Sequence, residues 1–211
     1  ESIAYDVCEY SIRKHNRRLD VKRLYSKDIP EYNRDKGEPQ STDFTFTRFL
    51  VPYLSNYKGY SLFCDCDFLF LADPRELNEY LTRDKAVWVV KHPRYIPNSE
   101  SKMDDIAQNA YTKKNWTSLM LFNNSHPAIK VLEPNYINNT PNGIDLHQFA
   151  WLPDDLIGEL PLEWNCLDGY YYLNNPKAIH YTDGGPWFDG YQNTLYSGLW
   201  TEHYKQMIDN L

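Results

Sequence analysis

At 211 residues, with 42% hydrophobic and 24% charged side chains, the chain has a globular composition and is long enough to bury one sizeable core. Its 22 basic and 29 acidic residues give a net charge of -7, which excludes broad binding to nucleic acid or to membrane surfaces through bulk charge and leaves room only for a local basic pocket. No stretch approaches the ~20 apolar residues that cross a bilayer, and the N-terminal sequence lacks the basic-then-apolar layout of a signal peptide.

In chain order, "SIAYDVCEYSIRKHN" places Ile3, Val7, Tyr10 and Ser11 at helical spacing and predicts a helix over residues 2–16, with Ser2 available as N-cap. "RLDVKRLY" then reads as a strand, and "SKDIPEYNRDKGEPQ" as an exposed loop. "TDFTFTRFLVPYLSNY" predicts a helix from near Thr42, with Phe46, Phe49, Leu50 and Tyr53 on its buried side and Pro52 ending or kinking it. "GYSLFCDCDFLF" reads as one buried strand, and "DPRELNEYL" as a short helix capped by Asp73 ahead of Pro74. "KAVWVVKH" has the continuous apolar middle of a strand in a parallel sheet. "WTSLMLFNN" predicts a further strand and "PAIKVLEPNYINN" a helix running into a loop. The last third, "IGELPLEWNCL", "YYYLNNPKAIHYT" and "GGPWF", should form short strands. Alternation of strand and helix implies an α/β layer fold.

Aromatic residues reach 16%, with 18 Tyr and 6 Trp, which suits a sheet-rich core and also a site that stacks on flat or sugar-like ligands. The cysteines, Cys8, Cys64, Cys66 and Cys166, are too few for a disulfide scaffold and read as free thiols in a reducing compartment, hence a cytoplasmic protein.

The chemistry concentrates in "LFCDCDFLFLADP". Ligands of open α/β sheets bind at the carboxyl ends of strands, where these acids fall. If the strand runs through them, alternation sends Asp65 and Asp67 to the same side, where they could jointly hold a hard divalent cation such as Mg²⁺ or Mn²⁺. The alternative is a carboxylate pair hydrogen-bonded to a turn. His180, after the apolar pair of "AIHYTDGGPWF", offers a third ligand or a structural imidazole, and Gly184-Gly185 would let backbone approach a phosphate. Asn123, ending its strand, could bond a sugar hydroxyl or cap a turn. Trp116, Trp151, Trp164 and Trp187 flank the region and suit sugar faces or the core, while Lys91 and His92 end a strand near the same rim.

Together these residues resemble the GT-A glycosyltransferases, nucleotide-sugar enzymes, and most closely their family 8-like branch. The resemblance covers nearly the whole chain: "FTFTRFLVPYL", "FCDCDFLFLADPREL", "KNWTSLMLFNN", "IGELPLEWN" and "AIHYTDGGPWF" occur in that branch's order, with an Arg-x-x-x-Pro element 17 residues before the first acid, Arg48 to Asp65. It implies one Rossmann-like GT-A domain over residues 1–211, with a mixed, mostly parallel central sheet flanked by helices. It also implies a UDP-sugar donor, a glycan or glycoprotein acceptor, and Mn²⁺ or Mg²⁺ held by Asp65, Asp67 and His180. By the same carry-over Arg48 contacts donor sugar or phosphate and Asp145, in "GIDLHQFAW", lines the sugar pocket. Cys66 lies between the two acids and joins Asn123, Gly184 and Gly185 in the donor-binding set; Asp145, Asp67 and Arg48 form the catalytic set. Asp145 is preferred over Asp154 and Asp155 as a base for the acceptor hydroxyl. The sequence is also similar to the first domain of a chlorovirus capsid-glycan glycosyltransferase, which implies a piece of a longer chain acting in the host cytoplasm.

Two departures stand out. The branch usually carries a Lys after the metal His, and "HYTDGGPW" has none; it also usually opens with a strand and Gly-rich turn that cradle uridine, whereas this sequence opens at the following helix.

Overall fold

The computed structural model describes residues 2–34, 44–92, 113–170 and 172–210. Helix α1 (Ser2–His15) forms as its spacing dictates, burying Ala4, Val7, Cys8, Ser11 and Ile12 on one face. Arg13, Lys14 and His15 in its last turn complement the helix dipole.

The expected strand "RLDVKRLY" is not one. Leu19 and Val21 pack against the core beside α1, and the Arg23 guanidinium lies over the Tyr5 and Tyr25 rings at 4.6 and 4.8 Å. No described strand pairs with this segment, so its apolar residues are satisfied by packing without a ladder. The helix expected from Thr42 starts among residues outside those described. Its remainder is a 3-10 turn, Thr47–Leu50, running into the single-turn helix α2 (Val51–Leu54). Pro52 sits in the first turn of α2, where its missing N–H costs nothing, so it begins this helix rather than ending one. Asp73 caps Pro74–Tyr80 as expected, accepting from the Arg75 N–H.

The run read as one strand is two: β1 (Tyr60–Cys64) and β2 (Phe68–Phe70) lie in different sheets, and Asp65, Cys66 and Asp67 form the link between them. The remaining strands are β3 (Val87–Val90), β4 (Leu119–Asn123), β5 (Ile157–Leu160), β6 (Cys166–Leu167) and β7 (Ala178–His180). The larger sheet has the order β1-β4-β3-β5, and the smaller the order β2-β7-β6. The fold is mixed α/β as expected, but its pairing corrects the parallel bias: β1–β4, β3–β4 and β2–β7 are antiparallel, while β3–β5 and β6–β7 are parallel.

Both faces of the larger sheet are covered, which is why β3 and β4 are apolar without alternation. Val87, Val89, Met120 and Phe122 face Phe46, Phe49, Ile137 of α3 (Pro134–Asn139) and Leu146 of α4 (Gly143–His147). Trp88, Val90, Leu119 and Leu121 face Phe68 and Phe70 of β2 and Cys8 and Ile12 of α1. Gly158 of β5 stands opposite Trp88, and a Cβ there would lie 2.1 Å from the indole, so only glycine admits that ring. The smaller sheet is closed by α5 (Ser197–Asp209), whose Trp200 packs with Val7, Leu69, Ile179 and Tyr181. No helix among the described residues is long and apolar enough to cross a membrane.

Candidate metal centre

The link between β1 and β2 creates the site. Asp65 remains attached to the larger sheet, its N–H donating to Ser118 O at 2.9 Å, whereas the Asp67 carbonyl accepts from Tyr181 N–H of the smaller sheet at 3.0 Å. Because Phe68 pairs with His180, the last residue of β7 is delivered beside Asp67. Convergence of the two acids therefore comes from a turn that crosses between sheets, not from strand alternation.

One ligand atom each from Asp65, Asp67 and His180 lies within 4.8 Å of the others. His180 is 2% exposed and stacks on Phe68 with centroids 4.5 Å apart. Its Nε2 is 3.4 Å from Asp67 Oδ1, and its Nδ1 is 3.1 Å from Asn165 Oδ1. Arg48 Nη1 pairs with Asp65 Oδ1 at 2.9 Å and also donates to Thr117 O, while Arg48 Nε donates to Phe44 O. Both pair members are largely buried, at 8% and 16% side-chain exposure, and the guanidinium lies 5.0 Å from the Phe63 ring centroid. Arg48 is thus a counter-ion of Asp65.

A donor set of two carboxylates and an imidazole within this span fits one divalent cation: the separation is close to twice the ~2.0–2.6 Å ligand distances of Mg²⁺ and Ca²⁺, and adding nitrogen to oxygen suits Mn²⁺.

Other expected residues fall at several distances from this centre. Cys66 is the half-buried middle residue of the turn. Asp145 lies in the first turn of α4, and two residues on, His147 Nδ1 is 2.8 Å from Thr117 Oγ1. That contact ties α4 to the Arg48 side of the centre; sequence reasoning did not single out His147. Burial between Phe46 and Phe49, with the Arg48 charge adding to it, lowers the His147 pKa to about 3. The pKa of His92, two residues past β3, is lowered to about 3 by burial and by neighbouring His180.

Asn123 is not brought to the site. Antiparallel pairing puts it opposite Tyr60, at the far end of β1 from Cys64 and Asp65, and its side chain caps Lys85 O at 3.3 Å. Gly184 and Gly185 follow His180 closely, but the space beside them is filled: a Cβ at Gly185 would meet the Trp187 ring at 2.0 Å, and one at Gly184 the Tyr191 ring at 3.0 Å. Trp164 is fully buried, and Trp187 packs on Tyr181 and Trp200. Trp116 lies at the start of β4 with Lys91 and Lys113 over its ring at 5.8 and 5.7 Å. Asp154 pairs with Lys113.

A second acidic cluster escaped sequence reasoning because no short motif marks it. Asp168, just past β6, is 6% exposed, accepts from Tyr196 N–H at 2.9 Å, and has its pKa raised by burial; nearby, Tyr170 Oη donates to Asp183 Oδ2 at 2.8 Å.

Comparison with known proteins places the fold. No family model matches the sequence. "Protein CDI" of Arabidopsis thaliana is 40% identical over 216 residues, covering 98% of this chain and 83% of the plant protein. Among solved structures, the apo-form glycosyltransferase GlyE of Streptococcus pneumoniae TIGR4 has a TM-score of 0.60 at 16% identity, covering 99% of this chain and 59% of that one. The bifunctional glycosyltransferase WbbM gives 0.56 at 17% identity, covering 99% of this chain and 49% of its own. An active-site mutant of LgtC gives 0.51 at 9% identity, over 97% of this chain and 92% of that one. The chain thus spans only part of GlyE and WbbM. These likenesses show the fold, the GT-A fold of glycosyltransferases.

Proposed function

We propose glycosyltransferase activity for this chain, which belongs to the same family as Protein CDI of Arabidopsis thaliana and has the GT-A fold. The reaction is transfer of a sugar from a UDP-sugar donor to a hydroxyl of a glycan or glycoprotein acceptor, dependent on Mn²⁺ or Mg²⁺, in the manner of the family 8-like branch. The observation that carries it is the convergence of Asp65, Asp67 and His180 at the seam of the two sheets.

Asp65, Asp67 and His180 would hold the ion, which when bound supplies Lewis-acid stabilisation of the charge that develops on a departing diphosphate. Arg48 keeps the Asp65 carboxylate turned to the site. Its Nε hydrogen goes to Phe44 O and an Nη1 hydrogen to Thr117 O, with Nη1 ion-paired to Asp65 Oδ1, so in this reading Nη2 is the part that faces donor phosphate or sugar. Asp145 is assigned to the sugar pocket, as the group that receives the acceptor proton or orients a sugar hydroxyl. Cys66, Gly184 and Gly185 contribute backbone at the rim; the Gly184 N–H is already spent on Tyr181 O at 2.9 Å, so a glycine donor would have to be the Gly185 N–H, with Trp187 leaving it accessible. Residues 1–211 act as one catalytic domain. A place in capsid-glycan synthesis in a host cytoplasm goes with the chlorovirus likeness alone.

Calorimetric titration of UDP, and then of a panel of UDP-sugars, with and without Mn²⁺, tests the reading on the wild type and on Asp67→Ala. The expected result is metal-dependent binding that the variant loses, together with slow metal-dependent UDP release in the absence of acceptor. Binding without any UDP release would assign a silent nucleotide-sugar module instead, and equal binding without metal would make the acid pair structural.

A further inference from the structure

Asn165 carries no role in the reading so far, yet it is fully buried and touches the one imidazole of the centre. It lies at the end of the 3-10 turn Leu162–Asn165, immediately before β6, and its amide has partners on both sides. Nδ2 donates to Ser118 Oγ at 2.9 Å and to Asn115 O at 3.4 Å. A main-chain carbonyl can only accept, and Ser118 Oγ spends its own hydrogen on Asn115 O at 2.7 Å, so both neighbours require the amide nitrogen to face them. The orientation of the amide is thereby fixed, and Oδ1 must point at His180 Nδ1, 3.1 Å away.

An oxygen acceptor at Nδ1 demands a hydrogen there. Neutral His180 then carries its proton on Nδ1 and presents the bare Nε2 lone pair towards Asp67 Oδ1, 3.4 Å distant. Two acceptors facing each other at that distance are stabilised by a cation between them. The same Ser118 that orients Asn165 through its hydroxyl also accepts the Asp65 N–H through its carbonyl, so one residue registers two of the three ligands.

We propose that Asn165 is a positioning residue: it sets the tautomer and the ring orientation of His180 so that Nε2 is a ready metal ligand. This rests on reading Asp65, Asp67 and His180 as the metal site. Outer partners of this kind typically change metal affinity by 10–100-fold when removed.

The test uses the whole chain in three forms: wild type, Asn165→Leu and Asn165→Asp. Long-range ¹H–¹⁵N spectra of the metal-free wild type, recorded well above the ordinary imidazole pKa, read the His180 tautomer directly. An Nδ1–H tautomer is expected, retained in Asn165→Asp, which keeps an acceptor there, and lost from dominance in Asn165→Leu. Electron paramagnetic titration with Mn²⁺ then gives affinity, expected to fall ~10–100-fold in Asn165→Leu and to be partly rescued in Asn165→Asp, where Ser118 Oγ must turn its hydrogen from Asn115 O to the new carboxylate oxygen. An Nε2–H tautomer in the wild type overturns the inference even if Asn165→Leu cannot fold. Equal Mn²⁺ affinity of wild type and Asn165→Leu overturns it while leaving the metal site intact. Absence of Mn²⁺ binding by the wild type overturns the metal site itself, and the inference with it.

Discussion

Arg48→Met removes the guanidinium, which lies 5.4 and 5.0 Å from the Phe44 and Phe63 ring centroids, while keeping an apolar stem, and its effect can be worked from the contacts. The Asp65 carboxylate, at 16% exposure, loses one partner at 2.9 Å, and Thr117 O and Phe44 O lose a donor. Removing one member of a buried pair costs ~3–5 kcal/mol, because the remaining charge is left desolvated. Each lost carbonyl hydrogen bond adds up to ~1 kcal/mol where water cannot replace it. We therefore expect a loss near 4–5 kcal/mol, which for a chain of this size lowers the thermal midpoint by roughly 8–20 °C. Urea unfolding in EDTA, with the midpoint converted through the slope, measures it. Saturating Mn²⁺ should then return more stability to the variant than to the wild type, since an ion at the site supplies positive charge to Asp65 that the arginine no longer does. A variant within ~1 kcal/mol of wild type in EDTA would refute the reasoning, as that is the behaviour of a solvent-screened surface pair.

Acid should destabilise the metal-free protein through His92 and His147. Both folded pKa values, about 3, lie below the ordinary 6.5, so the unfolded chain binds more protons; the stability they contribute is present above about pH 6.5 and is lost as pH falls towards 3. At pH 5.5 each should cost ~1.4 kcal/mol relative to neutral pH, and His147→Gln, followed by urea unfolding at pH 7.5 and 5.5, should abolish its share of that difference. In Gly158→Ala the new methyl meets the Trp88 indole at 2.1 Å, so we expect a loss of ~1–3 kcal/mol and a changed tryptophan emission, with Mn²⁺ affinity unaltered. An unchanged stability there would mean that β5 can slide away from β3 at little cost.

Helix α1 was legible because its buried residues recur with the helical period and no neighbour is needed to define that face. The capped turn at Asp73 was legible for the same reason, being a local device. Asp65, Asp67 and His180 could be nominated from residue type and place in the order of elements, and the structure brings them together. Strand alternation, the expected cause of their convergence, is not the cause, since an apolar run reads the same whether its strand stays in one sheet or crosses to another. Asn123 was misplaced by a related gap: strand direction is not written in a strand's own residues, and an antiparallel β4 carries its last residue away from the acids. "RLDVKRLY" has strand propensity but no described partner, and pairing decides. Helix α5 was missed although Trp200, Tyr204 and Met207 follow a helical spacing, because the Gly and Pro content just before it suggested short strands throughout. Asn165 carries no motif signal at all; only the fold shows that it meets His180.

The crossing of the chain between sheets at Asp65–Asp67 has a mechanical consequence. One carboxylate moves with the β1-β4-β3-β5 layer and the other, with the imidazole, moves with β2-β7-β6. The three ligand atoms report the relative placement of two bodies, and a slip of an ångström between them would open the triangle without breaking either ladder. An ion held there, as proposed above, would work as a rivet through both plates, so its affinity and the rigidity of the layer packing would become two readings of one free energy.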